Sequence, residues 1–502
     1  MSNPLYIAVD LGAGSGRVFL VGFDANELLL DEVHRFCYPP YFDGEYIRWN
    51  FQLIFDEIKS GLQRAGIRAL AHDRRILSMG VDSWAVDYGL VDTEGQLIAD
   101  PICYRDSRTD KAMAGVFALV PRKKIFETTG IQFQKFNTLY QLFSEGDETE
   151  SASKLLLLPD LINYSLTGKA ATEYTNATTT QMVNARTAKW DSDLIDSLGL
   201  PRGILQEIVL SGSVVGTLLP TIEEETGLRN VEVIAPATHD TASAVAAAPL
   251  THGSAYISSG TWSLIGIELD APLITSEAAQ FNFTNEGGVY NTFRFLKNVM
   301  GLWIFESCRQ EWAVGGNAVE YDTLIRDASD IEGYPGFIFP DDERFLNPAS
   351  MLEAVNTQLS ETHQQTQSDP AVITKVIFDS LAFRYASVLR SIESLTDSNL
   401  VRIEIVGGGG RNRYLNQSTA NATRLPVLSG LTEATVVGNA LVQALAVGRF
   451  ETLSKARDYV ASEIEFENFV PMAVSGLAEA EARYLVIEER FQTQPSEAAA
   501  VK

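Results

Sequence analysis

The stretch YIAVDLGAGSGRVFLVGFD, residues 6–24, consists of two apolar runs joined by a short turn of small residues. This pattern is typical of a β-hairpin. Asp10 ends the first predicted strand, and Arg17 opens the second. The turn has two interpretations: it is a structural hairpin turn, or its backbone N–H groups hold phosphate oxygens while Asp10 holds Mg²⁺. The stretch alone leaves both open, because glycine turns commonly mark chain reversals.

The composition limits the class of protein and its partners. A chain of 502 residues predicts two or more domains. The formal net charge of −26 argues against nucleic acids and anionic membranes as partners, because both repel an acidic surface. The charge does not exclude ATP, since a local group of backbone N–H donors can bind phosphate on an acidic protein.

The cysteines and the chain ends bear on location. Cys37, Cys103 and Cys308 lie far apart, so neither a metal site nor a disulfide framework is predicted. The N-terminus lacks the basic region of a signal peptide, and no apolar run reaches the length of a membrane span. The closing run TQPSEAAAVK is predicted to be a solvated end. We therefore expect a cytoplasmic protein.

Strand and helix patterns alternate along the chain, which predicts an α/β protein. Apolar residues recur at helical spacing at Phe51, Phe55, Ile58 and Leu62, with Asn50 as the predicted N-cap. A strand before Asp82 is followed by a second predicted hairpin with its turn at DTEG, residues 92–95. Residues 110–230 are predicted to be mostly helical.

The stretch GSAYISSGTWSLIGIEL, residues 253–269, repeats the strand, turn and strand pattern of residues 6–24. Two such units half a chain apart predict two related lobes with a boundary near 248–253. The predicted domains are 1–248 and 249–480, followed by a terminal helix and tail over 481–502. An internal duplication is a hypothesis that this pattern raises.

Two further segments combine a strand, a polar or glycine turn and a helix. In VGGGGRN, residues 406–412, four glycines cost conformational entropy unless something approaches the backbone closely, as at a nucleotide site. In ATHDTASAV, residues 237–245, Asp240 either caps a helix or accepts a proton from a hydroxyl group. The sequence alone leaves both alternatives open.

Carboxylates and aromatic residues mix in VDSWAVDY, residues 81–88. Acids that bind hydroxyl groups and rings that cover C–H faces suit a sugar, whereas the structural alternative is a hairpin with a core tryptophan. No Gly-x-Ser-x-Gly or His-Glu-x-x-His motif occurs, so hydrolase and zinc chemistry have little support.

The order of these motifs resembles the FGGY family of carbohydrate kinases, in the superfamily of actin, heat-shock chaperone ATPases and sugar kinases. The resemblance spans residues 6–440 and is carried by VDLGAGSGRV, IRWN, GVDSWAVDYGLVD, YRDSRT, NTLYQL, LLLLPDLINYSLTG, ATHDTASAV, SSGTWSLIG, FLKNVMGLWIFE and VGGGGRNRYLNQ. It implies an α/β fold of two actin-like (ribonuclease H-like) domains around a central cleft. Within the family, the resemblance is closest to the branch that phosphorylates L-rhamnulose in L-rhamnose catabolism.

The resemblance also implies ATP and Mg²⁺ as cofactors. Asp10 matches the acid associated with the metal. The residues implied to bind ATP are Ala13, Gly14, Ser15, Gly16, Arg17, Gly260, Thr261, Gly408, Gly409 and Glu306. Glu306 is a departure, because some relatives have glutamine there.

Asp240 matches the catalytic base of the family. The residues assigned to the sugar are Asp82, Trp84, Ala85, Asp87, His239, Thr241 and Asn298. Trp84 is the candidate wall for the methyl group of a 6-deoxy sugar, and Ala85 stands where relatives usually have glycine. The expected partners are a small ketose and ATP, with no obligate protein partner. The same chemistry on L-fuculose or L-xylulose, and a non-catalytic sugar or nucleotide sensor, are the alternatives.

Overall fold

The computed structural model describes residues 3–25, 27–145 and 148–493, so most of the predicted tail lies outside the described residues. The chain divides into two compact units. The first comprises the chain up to Pro249 together with Glu268–Phe295 and Glu433–Ile464. The second comprises Leu250–Ile267, Leu296–Thr432 and the chain from Glu465 onward. The boundary between two functional domains near residues 248–253 stays a prediction.

Strands and helices alternate through both units, as the α/β prediction requires. The strands β1 to β21 are, in chain order, Leu5–Gly12, Ser15–Phe23, Leu28–Cys37, Tyr41–Phe42, Ile47–Arg48, Ile76–Ser83, Tyr88–Val91, Lys154–Leu157, Thr172–Glu173, Val183–Asn184, Lys189–Trp190, Ile208–Val209, Val214–Thr217, Glu232–Ile234, Ser254–Ser259, Trp262–Leu269, Thr284–Gly287, Phe293–Met300, Arg402–Val406, Val427–Ser429 and Glu467–Phe469. The helices α1 to α19 are Phe51–Ala71, Ala112–Leu119, Arg122–Thr129, Thr138–Phe143, Glu148–Ser151, Leu158–Thr167, Tyr174–Thr179, Ser192–Ser197, Pro220–Thr226, Asp240–Ala247, Ser276–Gln280, Trp303–Val314, Tyr321–Ser329, Met351–Glu361, Pro370–Thr396, Arg413–Thr423, Ala434–Ala446, Leu453–Glu463 and Leu477–Thr493.

The sheet of the first unit has the strand order β13-β14-β6-β1-β2-β3. Strand β1 lies inside it, antiparallel to β2 and parallel to β6. The register sets Asp10 beside Arg17 on one side and beside Asp82 on the other. The hairpin predicted over residues 6–24 is confirmed, and its turn consists of the two residues Ala13 and Gly14.

Helix α1 packs its apolar face into the core of the first unit. Ile54, Ile58 and Leu62 are fully buried there. The Asn50 side chain accepts a hydrogen bond from the Leu53 N–H group, which confirms the predicted N-cap. The periodicity of the sequence therefore places the start of this helix correctly and most of its buried face, although Phe55 is only half-buried and Ile54 is buried beside it.

Two local expectations are only partly met. Strand β7 pairs along its length with β8. The arm returning from the DTEG turn forms a single bridge, Val91 with Leu97, flanked by hydrogen bonds from Asp92 N–H to the Gln96 carbonyl and from Ile98 N–H to the Leu90 carbonyl, both at 2.9 Å. The physical reason is burial: Leu155–Leu157 of β8 offers a fully buried apolar surface that the short returning arm lacks. Residues 110–230 contain helices, but short strands lie between them.

The sheet of the second unit repeats the strand plan of the first. Strand β15 is antiparallel to β16 and parallel to β19, β19 is parallel to β20, and β20 is antiparallel to β21. The order β16-β15-β19-β20-β21 thus has the same pairing directions as β2-β1-β6-β14-β13. This matches the pattern shared by residues 6–24 and 253–269.

Helix α10, which begins at Asp240, packs closely against α17 within the first unit. A Cβ atom on Gly438 of α17 would lie only 1.7 Å from the Ser243 carbonyl oxygen of α10. Helix α17 is also tied to the central strands, because Gln443 donates to the Ile7 carbonyl at 2.9 Å and accepts from the Ser78 hydroxyl at 2.7 Å. A segment distant in sequence therefore sets the position of α10.

No helix of the described residues combines the length and the apolar character that a membrane crossing requires.

We expect Gly438→Ala to lower the free energy of unfolding by about 3 kcal/mol, because the methyl group has no space beside the Ser243 carbonyl. Chemical denaturation followed by circular dichroism measures this loss. Gly203→Ala is the control, since no atom lies within 4 Å of its added Cβ. Equal stability of the two variants would contradict the close packing of α10 against α17.

Candidate active site

The backbone carbonyl groups of the turn between β1 and β2 are hydrogen-bonded to a buried tyrosine, Tyr38. The Tyr38 hydroxyl oxygen lies 2.6 Å from the Gly12 carbonyl oxygen and 2.9 Å from the Ser15 carbonyl oxygen, so its single proton is shared between these two acceptors. The Tyr38 N–H group donates to the Gly14 carbonyl at 3.0 Å. Ala13 and Ser15 at the tip are exposed. The turn is therefore a tight hairpin whose tip is open to a ligand. The supporting role of Tyr38 could not be predicted from the sequence pattern.

Gly14 and Gly16 of this turn are required for different structural reasons. Gly14 has φ of +129°, a conformation that L side chains rarely adopt, and its Cα faces open space. A Cβ on Gly16 would lie 2.4 Å from the Phe36 ring, so Gly16 is required by packing. Only the first of these two glycines leaves room for a ligand at its own Cα.

Arg17 forms ion pairs with two carboxylates, those of Asp10 and Glu433. Asp10 lies on the neighbouring strand, and Glu433 directly precedes α17. The guanidinium thus links the start of the hairpin to a helix more than four hundred residues later. Because an arginine has donors only, each carboxylate accepts from it.

The carboxyl groups of Asp10, Asp82 and Asp240 lie close enough to interact electrostatically. Asp82 is fully buried and accepts from the Asn439 amide at 2.5 Å. Burial, and then the negative charge of Asp10, raise the pKa of Asp82, and Asp240 adds to the effect. Burial also raises the pKa of Asp240, against the lowering effect of His239. Asp10, Asp82 and Asp240 belong to three separate sequence motifs, and the fold brings them together.

Asp240 is the first residue of α10, and His239 occupies the N-cap position. The interpretation of Asp240 as the N-cap is therefore wrong by one residue. The Asp240 carboxylate accepts from both the N–H group and the hydroxyl of Thr241. About a third of the Asp240 side chain is exposed, whereas His239 is nearly buried. The carboxylate is accessible to a bound hydroxyl group.

An aromatic cluster surrounds Asp87. The indoles of Trp49 and Trp84 both donate to Asp87 Oδ2, at 2.7 and 2.9 Å. The Tyr104 N–H group donates to the same oxygen, and the Gln141 amide donates to the other at 3.2 Å. Burial raises the pKa of Asp87 to about 6, although these donors lower it. Asp87 fixes the orientation of two tryptophans.

The residue before Asp87 has a strained backbone. Val86 has φ of +72°, which is rare for a β-branched residue. The Asp87 N–H group donates across it to the Ala85 carbonyl at 3.0 Å, and the Val86 carbonyl accepts from Thr138 at 2.7 Å. Strain of this kind is maintained only where surrounding contacts impose it, often at functional sites. This strained turn could not be predicted from the residue pattern.

In the second unit, the turn between β15 and β16 adjoins the start of α12. Gly260 and Thr261 are exposed. Their carbonyls accept from the N–H groups of Leu302 at 3.0 Å and Trp303 at 3.2 Å. The motifs SSGTWSLIG and KNVMGLW thus form one structure, with the Thr261 side chain at its surface.

The run of four glycines is largely explained by the protein itself. A Cβ on Gly409 would lie 2.1 Å from the Ser259 hydroxyl oxygen, and one on Gly410 would lie 2.7 Å from that of Ser429. Gly407 has φ of +86°. Gly408 alone of the four faces open space. The entropy argument for a ligand therefore applies to one glycine of the run.

The two remaining predicted residues also belong to the second unit. Glu306 lies in the first turn of α12 and accepts from Arg309 at 3.1 Å. Asn298 is half-buried in β18. Within the part of the chain that the structure describes, no three His, Cys, Asp or Glu residues are grouped so as to hold a metal ion by themselves.

Comparison with known proteins identifies the class. The N-terminal domain of the FGGY family of carbohydrate kinases matches residues 5–247, and the C-terminal domain of that family matches residues 255–447. The chain therefore belongs to the FGGY family of carbohydrate kinases, enzymes that phosphorylate a sugar hydroxyl group. The family predicted from the motifs is confirmed.

The chain is similar to rhamnulokinases over nearly its whole length. It is 40% identical to that of Oceanobacillus iheyensis over 474 residues, which cover 94% of this chain and 99% of the relative. It is 41% identical to that of Pectobacterium atrosepticum over 479 residues, with 94% of both chains covered.

Solved structures of sugar kinases share the fold. Gluconate kinase from Lactobacillus acidophilus superposes with a TM-score of 0.81 at 15% identity, covering 99% of both chains. Glycerol kinase from Plasmodium falciparum with ADP superposes with a TM-score of 0.77 at 14% identity, covering 98% of this chain and 99% of that chain. The predicted two-domain, actin-like α/β fold is confirmed.

We expect Asp87→Asn to destabilise the first unit by about 2 kcal/mol, because the amide nitrogen must replace one of two oxygens that both accept from buried donors. Tryptophan fluorescence should change at the same time, since Trp49 and Trp84 then face a neutral amide in place of a carboxyl group. Denaturation followed by fluorescence measures both effects. Asp92→Asn, in a half-exposed turn, is the control and is expected to match the wild type. A wild-type spectrum for Asp87→Asn would contradict this assignment.

Proposed function

We propose that this kinase transfers the γ-phosphoryl group of ATP to the 1-hydroxyl of L-rhamnulose, as a cytoplasmic enzyme of L-rhamnose catabolism. The observation that carries the proposal is the similarity to rhamnulokinases, about 40% identity over nearly the full length of both chains. Identity spread over both domains supports a shared substrate as well as a shared fold.

The proposed base is Asp240. Its carboxylate is partly exposed, and burial raises its pKa, which makes it a stronger base than a fully solvated aspartate. It accepts the proton of the sugar hydroxyl as the oxygen attacks the γ-phosphorus. Phosphoryl transfer depends chiefly on positioning and on stabilisation of charge, so one base and a set of donors suffice.

We propose that His239, Thr241, Trp84 and Ala85 bind the sugar in the first unit, and Asn298 in the second. Trp84 offers an apolar edge to the 6-deoxy methyl group. For Asp82 and Asp87 the proposed role is indirect, because both carboxylates are buried and accept from protein donors. The methyl group of Ala85 narrows the sugar site relative to glycine.

The proposed nucleotide contacts lie in turns of both units. In the first, the backbone over residues 13–16 and the Arg17 side chain bind phosphate oxygens. In the second, Gly260 and the exposed Thr261 hydroxyl bind phosphate. Gly408, whose Cα faces open space, Gly409 and Glu306 lie on the adenosine side.

Mg²⁺ fits the acidic group of the first unit. Carboxylate oxygens are the protein ligands that this ion prefers, usually one or two together with phosphate oxygens. Asp10 supplies such a carboxylate, and it raises the pKa values of Asp82 and Asp240, the effect of accumulated negative charge. We propose Asp10 as the magnesium ligand. When bound with ATP, the ion neutralises charge on the phosphate oxygens.

We expect Asp240→Asn to reduce kcat about 10²–10⁴-fold, because the amide cannot accept the proton. The affinity for ATP, measured by titration calorimetry, is expected to stay within about twofold, since the substitution leaves every proposed nucleotide contact in place. Asp322→Asn, at an exposed position of α13, is the control. Retention of turnover within about tenfold would remove Asp240 from the role of base.

Activity is expected to fall at acid pH with the titration of Asp240. The base acts as a carboxylate, and its pKa is raised above the ordinary aspartate value of 3.8. Therefore kcat/KM for the sugar should decline as pH falls through that raised pKa, at a higher pH than for a solvated aspartate. A pH profile of kcat/KM measures this. A profile flat down to the ordinary value would contradict the role of burial.

The substrate is tested by measuring ADP release with MgATP and L-rhamnulose, L-fuculose, L-xylulose, D-xylulose, L-ribulose or glycerol. We expect kcat/KM to be highest for L-rhamnulose. A preference for another ketose would support the assignment as a sugar kinase and contradict the assignment of L-rhamnulose as the substrate. ATP binding without turnover on any compound would favour the non-catalytic sensor.

A further inference from the structure

A buried ion pair lies behind the histidine that precedes Asp240. Arg294 of β18 is fully buried, and Glu286 of β17 is nearly so. Arg294 Nη2 lies 3.1 Å from Glu286 Oε2 and 3.0 Å from His239 Nδ1. On the opposite edge of the imidazole, His239 Nε2 lies 3.5 Å from Asp240 Oδ1. All four residues belong to the first unit.

The chemistry of arginine sets the direction of this contact. A guanidinium has hydrogen-bond donors and no acceptor, so it donates to His239 Nδ1. His239 Nδ1 must then carry a lone pair, and the single proton of the imidazole lies on Nε2. The Glu286 carboxylate is farther from His239 Nδ1, at 3.4 Å, and nearer to Arg294. The proton on Nε2 therefore faces Asp240 and any hydroxyl bound there.

The arginine is held firmly enough to impose this state. Its Nε donates to the Gly287 carbonyl at 2.9 Å, and the Glu286 carboxylate supplies the opposite charge that its burial requires. Both side chains come from strands, so their backbones are fixed. Loss of either Arg294 or Glu286 would leave an unpaired buried charge, which is strongly destabilising. The two residues therefore stabilise each other in place.

We propose that Arg294, held by Glu286, is a positioning residue that keeps His239 neutral and protonated on Nε2. With the proton on Nδ1 instead, the Nε2 lone pair would face the Asp240 carboxylate and offer no donor to the sugar. The inference rests on the proposed function for the role of the sugar. The protonation state of His239 is independent of it and can be observed directly.

The test is a two-bond ¹H–¹⁵N correlation spectrum of the whole protein labelled with ¹⁵N-histidine. The chain has five histidines, and His239→Gln identifies the signals of His239. We expect Nδ1 to show the shift of an unprotonated ring nitrogen and Nε2 that of a protonated one. The opposite assignment in the wild-type protein would overturn the proposal without any variant.

Two variants at Arg294 separate positioning from folding. Arg294→Lys keeps a cationic donor and is expected to retain the wild-type pattern. Arg294→Met removes the donor, and a protonated Nδ1 is expected to appear. Arg384→Met is the matched control, because it removes a buried arginine paired with Asp341 and Glu488 in the second unit. An unchanged His239 pattern in Arg294→Met would overturn the proposal.

Kinetics then test the consequence for the sugar. In Arg294→Met, kcat/KM for the preferred ketose is expected to fall by up to about tenfold, with KM for ATP unchanged, as for the loss of one hydrogen bond between neutral groups. Arg294→Lys is expected to restore most of it. A shifted protonation state with wild-type kcat/KM would overturn the positioning role. Failure of the ketose panel, with the spectrum as predicted, would count against the proposed function and not against the state of His239.

Discussion

The pairing of Asp10 with Arg17 across the first hairpin is the interaction on which the candidate site depends. In a chain with a formal net charge of −26, the fold gathers the carboxyl groups of Asp10, Asp82 and Asp240 in one place. Like charges in proximity oppose folding unless they are protonated or offset. Arg17 offsets the charge of Asp10, and through its ion pair with Glu433 it also fixes the start of α17.

Strand β1 transmits this arrangement to the rest of the first unit. Its register aligns Asp10 with Arg17 and Asp82, while Tyr38 supports the turn at its end. Helix α17 then packs against α10, which presents Asp240. The charges, the turn and the candidate base are thus positioned by the same buried strand.

The sequence predicted what short-range patterns encode. The two hairpins, the Asn50 cap, the helix after Asp240 and the turn at the glycine run all follow from apolar periodicity and turn residues. The family and the fold followed from the order of motifs.

Contacts between distant segments could not be predicted in this way. Tyr38 beneath the turn, Gly438 against Ser243, and the pair of Glu286 and Arg294 each join segments that no local pattern connects. The strain at Val86 is imposed by tertiary contacts for the same reason. The entropy argument also overestimated the role of a ligand at the glycine run. Gly409 and Gly410 are required chiefly because the side chains of Ser259 and Ser429 leave no space for a Cβ atom.

The proposed function requires this site to transfer a phosphoryl group from ATP to a sugar hydroxyl. The most direct measurement is ³¹P and ¹H NMR of the product formed from ATP and L-rhamnulose by the wild-type protein. We expect a phosphomonoester whose phosphorus couples to the two protons of the C1 methylene group. Inorganic phosphate in place of a sugar phosphate, or phosphorus coupled to a single sugar proton, would contradict it.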